Sequence, residues 1–393
     1  MPDQQSPAVR RTPLADVHEG LGATMTDFAG WLMPLRYGSE TAEHNAVRSA
    51  AGLFDLSHMG ELFVTGPGAA AALDYALVGA ASAIVPGRAR YTMICAPDGG
   101  VIDDLIVYRL ADEEFLVVAN ASNARTVAAE LAARAEGHDA AVADRTDDYA
   151  LIAIQGPRSA GILAGLTDVD LDQVRYYASY PAVVAGCTAL LARTGYTGED
   201  GFEIFATPAD AGTVWQALTE AGRGDGLVPA GLAARDSLRL EAGMPLYGNE
   251  LSRDVTPFDA GLGRVVKLDK PADFVGRAAL AQRSRQEPSR VLVGLVGLTR
   301  RIPRHGYPVL WDGVPCGTVT SGAPSPTLGK PIAMAYIAAD VARGAQSAHE
   351  AETAGQADAE YFGPGGPLAF DIRGKAEPAA LVPLPFYRRP ARD

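Results

Sequence analysis

Little in this 393-residue sequence could cross-link it, anchor it in a bilayer or hold a metal. The three cysteines, Cys95, Cys187 and Cys316, are odd in number and far apart, so neither a disulfide framework nor a CxxC metal site is available. Cytosolic thiols buried as small hydrophobes are the expectation. Apolar runs such as AVVAGCTALLA, Ala182 to Ala192, fall well short of the ~20 residues that a spanning helix needs. The N-terminal MPDQQSPAVRRTPLADVHEG has no apolar core to act as a secretory signal, and its early acids argue against a transit peptide. A cytoplasmic protein that does not enter membranes is expected, with frayed first residues. The six histidines form no HExxH pair, so no metal site is expected. GxGxxG and GxxxxGK[ST] are both absent, which removes the main support for a dinucleotide or P-loop site. A net charge of −13 opposes phosphate backbones, so no nucleic acid is expected, and any anionic ligand must meet a local basic cluster.

What is present is an ordinary folded composition, 48% hydrophobic and 21% charged, in a chain long enough for two or three cores. The most informative stretch is RTGYTGEDGFEIF, Arg193 to Phe205, followed by PAGLAARDSLRLEAGMPLYGNE, Pro229 to Glu250. Gly195, Gly198 and Gly201 suit a turn with positive backbone dihedrals. The following strand sends Glu203 to the face opposite Phe202 and Ile204. By residue type alone Glu203 reads as an ordinary ion-pair partner. Three glycines around an aromatic, immediately before it, mark a shaped loop at a site. Thr207-Pro208 reads as the start of a helix, and Pro229 to Ala242 as another, stopped by Gly243 and Pro245. Arg235 and Arg239 share one face of the latter.

Earlier in the chain, Ser39 caps a helix over 40–50, and 52–64 suggests two paired strands around the loop Ser57-His58-Met59-Gly60. Arg90 to Cys95, the turn Asp98-Gly99-Gly100 and Val101 to Leu110 form a hairpin. Its return strand, VIDDLIVYRL, sends adjacent aspartates to opposite faces, so at least one must enter a buried or cleft environment. Glu114 to Asn120 is another strand, and Ser122 caps the helix that follows. After a polar, turn-rich segment at 284–290 the texture becomes short β segments, read as a small barrel or jelly roll. The expectation is an α+β protein with mixed sheets and helices in its N-terminal part. Its divisions are a disordered tail over 1–11, a module of two interleaved subdomains over 12–283 and a β-barrel domain over 290–390 with a mobile loop at 343–366.

In order along the chain, DFAGW, DLSHMGE, GRARYTM, GGVIDDLIVY, VVANASN, QGP, RTGYTGEDGFEI, AGLAARDSLRLEAGMPLYGNE, VKLDKPADFVGRAAL and VTSGAPSPTLGKPIAMAY resemble the aminomethyltransferase family, the T-protein of the glycine cleavage system. The resemblance spans about Thr12 to Arg388. It implies a folate-binding fold of three domains in a clover arrangement, with a C-terminal barrel. It also implies transfer of an aminomethyl group from the lipoyl arm of the H-protein to tetrahydrofolate, giving methylenetetrahydrofolate, ammonia and the reduced arm. The P-protein and L-protein would act in the same pathway.

Carried over by motif, Asp104 is the catalytic carboxylate beside the reacting edge of the folate, suited to stabilise a nitrogen that becomes positive and to accept its proton. Asp103, on the other face, is structural or solvated. Asn120 matches an amide that reads the pterin, and Glu203 the carboxylate that accepts from its amino-pyrimidine. Met59, Tyr91 and Tyr196 match the lining of the pterin slot, though each could be core. Arg235 matches a folate-contacting arginine, while Arg239 is expected to tie its helix to a neighbouring acid. In VPLPFYRR, Tyr387 is the candidate for a tyrosine against the folate tail, with Phe386 as the alternative. Two related readings are the folate-binding half of a sarcosine or dimethylglycine oxidase, which carries a flavin domain, and a non-enzymatic folate-binding factor of iron–sulfur maintenance. The second bears a Lys-Gly-Cys-Tyr-type motif where this chain has PFDAGLGRVVKLDK.

Overall fold

The computed structural model describes residues 9–345 and 367–390. Two sheets face each other across a shared core, each with helices on its outer side. One has six strands in the order Ser179–Val184, Cys187–Ala192, Gly201–Ala206, Ala150–Gln155, Ala51–Asp55 and Leu227–Pro229. The other has five, in the order Arg88–Cys95, Val101–Ala111, Glu114–Ala119, Gly60–Thr65 and Ala141–Asp144. Alternation explains the layering. Phe202, Ile204 and Ala206 point outward to a core shared with Trp215 and Leu218, whereas Phe205 turns inward to meet Phe63, Tyr108 and Leu116 of the opposing sheet. On the far side, Leu105, Val107 and Val117 pack against Leu73 and Leu131 of the helices Ala69–Ala76 and Ala124–Ala135. Burying a Leu- or Phe-sized side chain in such layers is worth about 1.5–3 kcal/mol.

The C-terminal part closes into a six-stranded barrel from Arg290–Gly297 to Ala376–Val382, which leaves no open sheet edge. The helix Leu232–Glu241 joins it to the layered part: Leu240 packs with Val296, Ile332 and Met334, and Arg239 donates to Ser321 at 2.8 Å. Within the layered part, the buried ammonium of Lys270 donates to the carbonyls of Asp74, Leu77 and Gly79 at 2.5–2.6 Å. Burial pushes it down to about 8. No helix among the described residues is long and apolar enough to cross a membrane.

Several local expectations need correction. Ala51–Asp55 and Gly60–Thr65 are not partners but belong to different sheets, and the link between them crosses from one layer to the other. Every residue of Ala51–Asp55 is buried, which suits a strand flanked on both sides. The turn is held at Asp55, which accepts from Thr12 at 2.7 Å and from the Ser57 amide at 2.9 Å and lies 2.9 Å from His18. Asn123, not Ser122, occupies the cap before Ala124–Ala135, and its side chain goes to Asp103 instead of to the helix. Thr207 does not cap a helix directly. It brackets a turn with Asp210, and the helix begins at Ala211. Pro229 ends a short strand, so the next helix starts only at Leu232, though Gly243 stops it as expected with φ +65°. Arg10–Arg11, expected in the tail over 1–11, pairs with Trp31 and Leu32, and the Arg10 guanidinium lies 3.9 Å from the Trp31 ring centre; residues 1–8 lie outside the described residues. Residues 339–345 are helical, and the rest of the loop expected at 343–366 lies outside the described residues.

Candidate active site

The hairpin of Arg88–Cys95 and Val101–Ala111 builds the first wall of the site. Its register pairs Tyr91 with Ile106, and the next strand pairs Ile106 with Val118, so Asn120 falls across from Asp104. The bonds follow. Tyr91 donates to Asp104 Oδ2 at 3.0 Å, and Asn120 Nδ2 donates to Asp104 Oδ1 at 2.8 Å. Asp104 is half-buried; burial pushes it up to about 6 against the pull of Tyr91 and Asn120. A carboxyl poised there exchanges a proton near neutrality. Tyr91 is driven well above its ordinary value by burial and then by Asp104, so it stays a donor.

Asp103 is not solvated. It is fully buried and takes Asn120 N at 2.9 Å, Asn120 Nδ2 at 2.8 Å and Asn123 Nδ2 at 2.7 Å. Asn120 therefore spends its amide nitrogen on the two aspartates rather than holding it ready for a ligand.

The second wall is the glycine loop. Of its three glycines only Gly198 has a positive φ, +81°. Gly195 and Gly201 serve close approach, since a Cβ at either would sit 2.0 or 2.4 Å from the Gln155 amide. Gln155 in turn donates to Thr194 O and accepts from Thr197, which fixes the loop. Beyond it, Glu203 faces the inter-sheet space as expected, and Tyr108 and Thr194 both donate to its Oε2, Tyr108 at 3.2 Å. Oε1 is not among the buried atoms left without a partner, and no side chain among the described residues bonds it. It is the oxygen the site can offer.

Tyr196 and Arg235 join the walls. The Arg235 guanidinium sits 4.8 Å from the Tyr196 ring centre, and Tyr196 donates to Pro245 O. No salt bridge to Arg235 occurs among the described residues, and burial lowers its proton affinity. Electrostatic coupling runs from Arg235 to Glu203 and from Tyr196 to Asp104, so these side chains share one region. Met59 packs beside it in the inter-sheet core. Arg239 is buried with Glu250 at 2.9 Å, as expected of a structural arginine.

Tyr387 lies against the glycine loop, 4.0 Å from where a Cβ on Gly198 would sit. Its ring lies 4.0 Å from the Arg48 guanidinium carbon, its amide donates to Glu241 O at 2.8 Å, and burial and then Glu199 raise its hydroxyl to about 12. Phe386 packs with the barrel–helix core. Sequence reasoning missed Thr194 and Tyr108, which orient Glu203, and His58, whose proton affinity burial and then Arg235 push down to about 4. The polar Arg-Thr pair before the glycines was the available signal for Thr194; nothing marked Tyr108. Among the described residues no group of three or more His, Cys, Asp or Glu side chains is arranged to hold a metal ion.

The layered α+β module and the closed barrel that follows it correspond to the two domains of one sequence family. Residues 14–270 match the GCVT N-terminal domain and residues 290–388 the glycine cleavage T-protein C-terminal barrel domain, and the chain belongs to that family. An aminomethyltransferase of Streptomyces avermitilis is 63% identical over 98% of this chain and 99% of its own length. One of Saccharopolyspora erythraea is 61% identical over 97% and 99%. The crystal structure of the glycine cleavage system aminomethyltransferase T from Bartonella henselae superposes with a TM-score of 0.85 at 36% identity, covering 97% of this chain and 99% of that one.

Proposed function

We propose that this chain is an aminomethyltransferase of the glycine cleavage system. It moves the aminomethyl carbon from the lipoyl arm of an H-protein to tetrahydrofolate, giving 5,10-methylenetetrahydrofolate, ammonia and the dihydrolipoyl arm, in a pathway shared with P- and L-proteins. The observation that carries this reading is the Tyr91–Asp104–Asn120 cluster, bonded side chain to side chain in a chain that matches the family over nearly its whole length.

Tetrahydrofolate, as co-substrate, supplies the nucleophilic nitrogen. Glu203 Oε1 accepts from the amino-pyrimidine edge, because Tyr108 and Thr194 already fill Oε2 and hold the carboxylate aimed. Tyr196 and Met59 flank the ring, and Arg235, with no competing salt bridge among the described residues, meets the carboxylate-bearing end. Asp104 faces the reacting edge, where it stabilises positive charge developing on the substrate nitrogen and takes up a proton. Residues 12–283 act as the folate module, with the barrel buttressing it through Arg239 and Ser321. Three free thiols fit a reducing cytoplasmic setting. A reconstituted assay with aminomethylated H-protein and tetrahydrofolate tests the reading: methylenetetrahydrofolate and ammonia should appear together. Folate binding without transfer would favour a non-enzymatic folate protein.

A further inference from the structure

We propose that Asp103 is a positioning residue for the transfer, acting on Asp104 through the side-chain amide of Asn120. The inference rests on the role given above to Asp104. The strand Val101–Ala111 sends Leu105 and Val107 toward the helices and Ile106 and Tyr108 toward the opposing sheet, so Asp103 and Asp104 begin on opposite faces. They meet again at Asn120, which sits where the neighbouring strand ends and can reach both faces. One amide nitrogen, with two hydrogens, lies 2.8 Å from Asp103 Oδ1 and 2.8 Å from Asp104 Oδ1.

Two consequences follow. Asp103 decides which end of Asn120 points at Asp104, since a flipped amide would turn its oxygen on two carboxyls. The Asp104 carboxyl plane is then set by Asn120 on one oxygen and Tyr91 on the other. In addition, the charge on Asp104 disfavours ionisation of Asp103, so the pair carries a single charge until the pH passes the Asp103 value. The other groups near Asp104 are Tyr91, Glu250, Tyr196 and Tyr247, and Tyr247 also faces Asp103; Asp103 alone shares a hydrogen-bonded amide with Asp104. A merely structural acceptor for the Asn120 and Asn123 N–H groups would need no acid. Ser, Thr or Asn does that work without placing a second carboxyl, raised to about 7 by burial and by Asp104, behind the first.

The test is steady-state kinetics of the full chain with tetrahydrofolate and aminomethylated H-protein, as a function of pH, for Asp103→Asn, Asn120→Ala and the double variant. For D103N the expected result is a kcat lowered about 10–100-fold, by analogy with outer partners of other reactive groups. The KM for tetrahydrofolate should stay within about threefold, since in this reading Glu203 and Arg235 do the binding. The acidic limb of kcat should stay near its wild-type position, because Asp103 titrates above Asp104 and carries no charge while Asp104 ionises. In the Asn120→Ala background D103N should cost little more. Wild-type kcat, or additive losses in the double variant, would make Asp103 an ordinary structural acid and overturn the proposal. If D103N does not fold, Asn123→Ala removes one donor from Asp103 and leaves both carboxyls. A several-fold loss in kcat at constant KM supports the role, and wild-type kcat refutes it. Absence of product with the wild-type chain would instead be a failure of the functional reading.

Discussion

Glu203→Gln is the substitution whose effect can be worked most directly from the geometry. Tyr108 and Thr194 both donate to Oε2, which leaves Oε1 as the acceptor for a ligand N–H. Glutamine at this position keeps the shape but must choose. If its oxygen stays with Tyr108 and Thr194, its NH2 group meets the ligand's donors. If it flips, the two hydroxyls must reverse and the ligand meets a neutral carbonyl. A hydrogen bond to a charged group is worth about 1.5–3 kcal/mol, so tetrahydrofolate affinity should fall about 10- to 150-fold. Calorimetric titration of the full chain measures this, with thermal melting to show that the fold survives. Tyr108→Phe is the graded control: it leaves Thr194 on Oε2 and should cost about 1 kcal/mol or less of ligand binding. An E203Q protein that melts like the wild type and binds tetrahydrofolate equally well would remove Glu203 from the site.

The remaining predictions concern catalysis and the fold. Asp104→Asn should bind tetrahydrofolate yet lose transfer by about 10²–10⁴-fold, and the wild-type rate should rise with pH through about 6 as Asp104 ionises; a pH-flat profile would sink the assignment. Arg239→Met strands the fully buried Glu250 carboxylate and should destabilise the chain by about 3–5 kcal/mol, with much of that recovered in Arg239→Met/Glu250→Leu, both read by denaturant titration. Glu61 is buried with both oxygens unpartnered, and burial followed by Asp144 raises it well above its ordinary value. The stability it permits is full below the unfolded carboxyl range and is lost as pH rises toward the folded value. The wild type should therefore lose up to ~1.4 kcal/mol per pH unit over that window relative to Glu61→Leu; parallel stability–pH curves for the two proteins would contradict this.

The hairpin around Asp98-Gly99-Gly100, the alternation at Glu203 and the late change to β segments were all readable, because each depends on neighbours in sequence and on a period of two. The misreadings involve partners distant in the chain. Two apolar segments with a short polar link look like a hairpin whether the strands pair or part, and only the flanking strands reveal that they part. Asp103 was assigned to the far face of its strand, and the strand does send it there. Nothing local shows that an amide at the end of the next strand bridges both faces. Tyr387 was chosen by motif alone, and the contact of its ring with Arg48, from the other end of the chain, was equally invisible in the sequence.

That contact bears on the order in which the site is completed during synthesis. The glycine loop is held from below by Gln155, but its outer acids face Arg48, Tyr387 and Arg389, the last 3.6 Å from Asp200. Every side chain assigned to the folate cleft is made long before Tyr387 leaves the ribosome. Until then Arg48 lacks the ring that packs against it, and Glu199 the hydroxyl it influences. Ligand affinity should therefore mature in two stages as the polypeptide lengthens, with the second arriving only when the segment after the barrel folds back across the loop.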